Sequence, residues 1–122
     1  MKFEVVFGVN PGFNHDNEVT DPVAVMTMVW LEQMDLVRQN SGLYISALIL
    51  PGRVSYPKEF GAPDGGEEVV EVSGYYNAQY HRYTELWQAA VRSTVSKCKD
   101  VLEQDTVALL FFPCQVEYMT RS

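Results

Sequence analysis

Two cysteines, two histidines and nine lysines and arginines among 122 residues narrow the chemistry open to this chain. Cys98 and Cys114 stand far apart with no second pair nearby, which excludes a zinc knuckle and a CxxC redox motif. Both are expected to be buried thiols, Cys98 on a helix and Cys114 in a strand. The shortage of basic residues against sixteen acidic ones leaves a formal net charge of −7. Binding to duplex nucleic acid is therefore not expected, since it needs clustered cations to displace counterions from phosphates. No apolar run approaches the roughly 20 residues that span a bilayer. Glu4 interrupts the apolar start where a signal peptide would need continuity, so the expected location is the cytoplasm, with no membrane association.

Recognisable site motifs are missing too. The glycines of 61–66 lack the Lys-Ser/Thr ending of a phosphate loop, and neither a G-x-S-x-G elbow nor an HExxH pair occurs. No cofactor is implied, and no metal site. What the chain does have is 47% hydrophobic residues, enough for a core, in a length that suits a single domain over 1–122.

Lys2 to Val9 alternates, with Phe3, Val5, Phe7 and Val9 on one face, and reads as a strand. Residues 10–20, dense in Pro, Gly, Asn and Asp, read as a loop. Asp21-Pro22 opens a helix, as cap and first helical residue. Its apolar stripe is Val23, Met26, Trp30, Met34 and Val37, widened by Val29 and Leu31, and Gly42 stops it. Leu43 to Leu50 is apolar on both faces and is expected as a second strand, bent at Pro51-Gly52. Residues 57–66 form a mobile hairpin tip, and Glu67 to Tyr76 returns as a third strand. A long helix is expected from Asn77 as cap to about Gln104, with Thr84 as the alternative start. Val107 to Phe112 is a last strand, and Pro113 assigns it to a sheet edge.

The order strand, helix, strand, strand, helix, strand implies an α+β fold, the ferredoxin-like split βαβ (βαββαβ). It has a four-stranded antiparallel sheet, two helices on one face and a long hairpin between the second and third strands. The first and third strands are expected at its centre, running parallel to each other. On that reading the loop after the first strand and the start of the long helix leave the same sheet edge. His15 and His81 then meet, with Tyr76 and Tyr80 beside them, as candidate proton-transfer residues. Apolar strand surface beyond what two helices can cover predicts a homodimer, with Leu48, Leu50 and Phe111 as binding residues. Arg53 and Tyr56 join them as binding residues near the hairpin, where with Lys58 they could clamp an anion.

Such a topology hosts many unrelated functions. The acidity, the missing motifs and the surplus of apolar strand surface point to a small dimeric interaction protein that binds another macromolecule as an inhibitor or accessory factor. The alternative is a small-molecule-binding protein or cofactor-independent enzyme of the dimeric ferredoxin-like barrel type, with a pocket near His15, Tyr76 and His81.

Overall fold

Asp21 and Pro22 open the first helix as the sequence predicts. In the computed structural model, which describes residues 1–9, 21–79 and 83–121, the Asp21 carboxylate accepts the Ala24 amide at 3.1 Å. That satisfies one of the free donors at the head of α1 (Pro22–Ser41). Gly42 closes the helix at φ 75°, a left-handed value that glycine adopts without strain, and its amide returns to the Arg38 carbonyl. The buried stripe is Met26, Val29, Trp30 and Val37. Leu31, expected to widen it, is solvent-facing instead.

The strands are β1 (Lys2–Gly8), β2 (Leu48–Val54), β3 (Glu67–Tyr75) and β4 (Leu109–Phe112). With α2 (Thr84–Val101) they complete the expected α+β order, and the sheet runs β2-β3-β1-β4. β2 and β4 are the edges, so Pro113 follows an edge strand as its missing amide requires. Every neighbouring pair is antiparallel, including β1 with β3. The expected parallel central pair is thus corrected: a crossover returns the chain in its starting direction and the hairpin then reverses it. In consequence Gly8 stands opposite Val69 and Lys2 opposite Tyr75.

Two element starts differ most from the first expectation. β2 begins at Leu48 because the preceding segment serves other partners: the buried Trp30 indole donates to the Ile45 carbonyl at 3.1 Å. α2 begins at Thr84, the alternative start, and not directly after Asn77 as cap. The Asn77 side chain instead accepts the amide of Gln79, two residues on, at 2.9 Å, which closes a local turn rather than a helix.

The core lies between the helices and one sheet face. Phe3 stacks on Trp30 at 5.7 Å between ring centres, and Trp87 meets Phe3, Tyr76 and Phe111 at 5.9 to 6.1 Å. Alternation then sends Lys2, Glu4 and Val6 of β1, Glu71, Ser73 and Tyr75 of β3, Leu48 and Leu50 of β2, and Leu110 and Phe112 of β4 to the opposite face. Leu48, Leu50, Val6 and Leu110 are all exposed there. Among the described residues no helix is long and apolar enough to cross a membrane.

Candidate functional site

Two features of the β2–β3 ribbon combine shape with polar chemistry. The first is a cavity of about 540 Å³ where β3 ends, on the face away from the helices. That volume lies within the range of small-molecule sites. Ser73, Gly74 and Tyr75 form one wall, Tyr44, Ser46, Ala47 and Leu48 another, and Lys2 and Asn77 close the ends. Tyrosine offers such a cavity an apolar ring with one polar tip. Lys2 is tied to Glu4 at 3.2 Å, and its ammonium lies 5.6 Å from the centre of the Phe112 ring. Glu4 in turn stands opposite Ser73, so a carboxylate borders the cavity floor.

The second feature sits at the hairpin. Gly66 has φ 84°, and a Cβ there would lie 2.9 Å from the Val54 carbonyl oxygen. Only glycine lets the chain turn this closely, and the turn delivers Glu67 beside Tyr56. The Tyr56 hydroxyl donates to Glu67 Oε2 at 3.3 Å across the hairpin. Desolvation first, and then the carboxylate's charge and hydrogen bond, raise the Tyr56 pKa. Arg53 faces Glu68 in the ladder and lines a shallow cleft with it. A tyrosine with a raised pKa that is hydrogen-bonded to a carboxylate is a functional candidate on physical grounds. Glu67 and Tyr75 are the two ends of the nine-residue β3. At about 3.3 Å per residue they lie roughly 26 Å apart, too far for one small molecule to touch both features in one chain.

The residues singled out from the sequence fall in different places. Leu48 lines the cavity and Leu50 lies farther along the same open face. Arg53 and Tyr56 belong to the hairpin cluster. Phe111 turns towards the helices, against Trp87, with the Arg92 guanidinium 5.1 Å above its ring. Tyr76 likewise meets Trp87 edge-on. His15, Tyr80 and His81 lie outside the described residues. The argument that joined the histidines does not hold, because β1 and β3 end at opposite edges of the sheet. Cys98 is buried as expected, whereas Cys114 follows β4 and is exposed. Glu67 was legible only as part of an acidic group; it closes the β2–β3 ladder opposite Val54, and the Tyr56 hydroxyl reaches it from two residues beyond the end of β2.

A family model described as SAM lyase matches residues 1–120. No curated protein shows a significant match. Among solved structures, a phage SAM lyase in its apo state is similar at 14% identity with a TM-score of 0.57, over 88% of this chain and 75% of that one. A phage SAM lyase in complex with S-methyl-5′-thioadenosine is similar at 13% identity with a TM-score of 0.56, over 88% and 76%. At these identities the structures speak for the fold. The family match overturns the expectation of an inhibitor or accessory factor acting by protein–protein interaction, because the matched family is one of enzymes.

Proposed function

We propose that this chain, which belongs to the SAM lyase family, cleaves S-adenosylmethionine and releases S-methyl-5′-thioadenosine. The observation that carries the reading is the family match over residues 1–120. The ligand held by a phage SAM lyase of similar fold is consistent with that product. S-adenosylmethionine enters as substrate. The bond that breaks joins the sulfonium sulfur to the γ-carbon of the amino-acid chain, and its electron pair stays on sulfur as a neutral thioether. A lyase adds no water, so the substrate's own carboxylate oxygen bonds to the γ-carbon and closes a lactone. No proton has to move. Closure needs no base, whereas elimination would need one to take the proton from the β-carbon.

Closure joins an anion to a cation, and opposite charges that vanish along the reaction do so more readily in apolar surroundings than in water. The cavity with its two tyrosines takes the adenosine end, and Glu67 holds the sulfonium. A bare carboxylate would stabilise the cationic substrate more than the transition state, where positive charge is fading. The Tyr56 hydroxyl tempers that charge and fixes its direction.

One small molecule can touch both features only across two copies, and the exposed Leu48, Leu50, Val6 and Leu110 of the open face support such a contact. We therefore read the protein as a homodimer with its pocket at the partner subunit. Two free thiols, one exposed, agree with a reducing, cytoplasmic setting. Incubating the purified protein with S-adenosylmethionine and following products by mass spectrometry tests the activity. S-methyl-5′-thioadenosine and a lactone in equal amounts are expected; intact substrate would overturn the reading.

A further inference from the structure

Ser73 and Thr94 are the buried polar side chains among the described residues. Thr94 donates its hydroxyl to the Ala90 carbonyl at 2.8 Å, within its own helix. The Ser73 hydroxyl makes no hydrogen bond among the described residues, although Ser73 is only 6% exposed. Every side-chain polar atom shut off from solvent there has a partner, so the Ser73 hydroxyl must still reach open space. The strand alternation shows which space. Val72 is wholly buried against the helices, Ser73 therefore turns to the opposite sheet face, and there it lines the cavity of about 540 Å³. Glu4 stands directly opposite it on β1, on the same face. Residues so opposed hold their Cβ atoms about 4.5–5.5 Å apart, which makes hydroxyl and carboxylate neighbours. Lys2 engages Glu4 Oε1 at 3.2 Å. A carboxylate accepts from several donors at once, so its second oxygen remains an acceptor.

Two acceptors side by side suit two donors on neighbouring atoms. Ribose carries such a pair in its cis 2′ and 3′ hydroxyls, and carboxylates commonly hold a ribose hydroxyl; the donors of adenine's amino group share one nitrogen. We infer that Ser73 and Glu4 form a ribose subsite on the cavity floor, each accepting one hydroxyl of the cis-diol, and so select ribonucleosides over their deoxy forms. The inference rests on the cavity's taking the adenosine end of the substrate. The ribose is unchanged by the reaction, so the contact is equally strong in substrate and transition state and sets binding rather than the chemical step.

The test is calorimetric titration of S-methyl-5′-thioadenosine and of its 2′,3′-dideoxy analogue into the wild-type protein, Ser73→Ala and Glu4→Ala, with the melting temperature of each variant as a fold control. Wild type is expected to bind the ribose form about 100-fold more tightly, two hydrogen bonds at about tenfold each. Ser73→Ala should bind S-methyl-5′-thioadenosine about tenfold more weakly and the dideoxy analogue as wild type does, so that its preference falls to about tenfold. Glu4→Ala should shift the two ligands in the same way. For S-adenosylmethionine turnover, KM should rise in Ser73→Ala while kcat stays put. Equal affinity of wild type for the two ligands would overturn the ribose subsite and leave the cavity reading intact, and that comparison needs no variant to fold. A preference unaltered in either variant, or an equal loss of both ligands in Ser73→Ala, would overturn the subsite as well. Failure of wild type to bind either ligand would overturn the cavity reading and the inference with it.

Discussion

Gly74 and Phe3 face each other across the β1–β3 ladder so closely that a Cβ on Gly74 would lie 2.8 Å from the Phe3 ring. The same Cβ would sit 2.5 Å from the Ser46 carbonyl oxygen, a backbone atom that cannot rotate away. Phe3 is fully buried and stacks on Trp30, so it has no space to retreat into. Gly74→Ala should therefore lower the unfolding free energy by roughly 2 kcal/mol or more, as overpacked cores do. A urea midpoint equal to wild type would contradict this.

Trp30→Phe keeps most of the ring in the core and removes the indole donor from the Ile45 carbonyl. A buried carbonyl left without its partner costs about 1–3 kcal/mol, beyond the smaller loss of apolar area. Chemical denaturation at pH 7 measures it.

At the hairpin, Glu67→Gln retains size and removes charge. If Glu67 holds the sulfonium, kcat/KM for S-adenosylmethionine falls about 100-fold, the scale of one preorganised electrostatic contact, with the melting temperature little changed. Tyr56→Phe should cost less, since the carboxylate stays. Steady-state kinetics on both variants decide it; full activity in Glu67→Gln would remove the pair from the mechanism.

Burial in the core pushes the Cys98 thiol from 9.0 up to about 12. The folded state keeps its proton where the unfolded chain has lost it, so this contribution is complete below pH 9.0 and disappears as pH rises towards 12. Stability should fall by about 1.4 kcal/mol per pH unit over that window, and Cys98→Ala should flatten the slope. Under native conditions a thiol reagent should modify the exposed Cys114 and leave Cys98 untouched.

Leu48 is 58% exposed on the open sheet face. Leu48→Glu puts a charge where a second copy would bury a leucine. Light scattering should then report the monomer mass, against a dimer for wild type. An unchanged mass would place the interface elsewhere.

Local chemistry made much of the fold legible from the sequence alone. Asp21, Pro22 and Gly42 state where a helix starts and stops, and the alternation through Phe3, Val5 and Phe7 states which face of a strand is buried, because both depend on neighbouring residues. The strand and helix order then leaves few topologies, and Pro113 selects an edge. Where local signals conflict, the tertiary structure decides. Asn77 can cap a helix or close a turn with equal chemistry, and the Tyr118 hydroxyl, 41 positions away, accompanies the turn. Leu43 to Ala47 is strand-like in composition, but the Trp30 indole claims the Ile45 carbonyl. The candidate site depended most on long-range placement: Glu67 is one acidic residue among sixteen until the hairpin register sets it against Tyr56. Strand direction likewise decides which loops are neighbours, and an antiparallel β1–β3 pair sends their ends to opposite edges. Composition and periodicity report what a residue prefers; which distant group it meets is set only when the sheet closes.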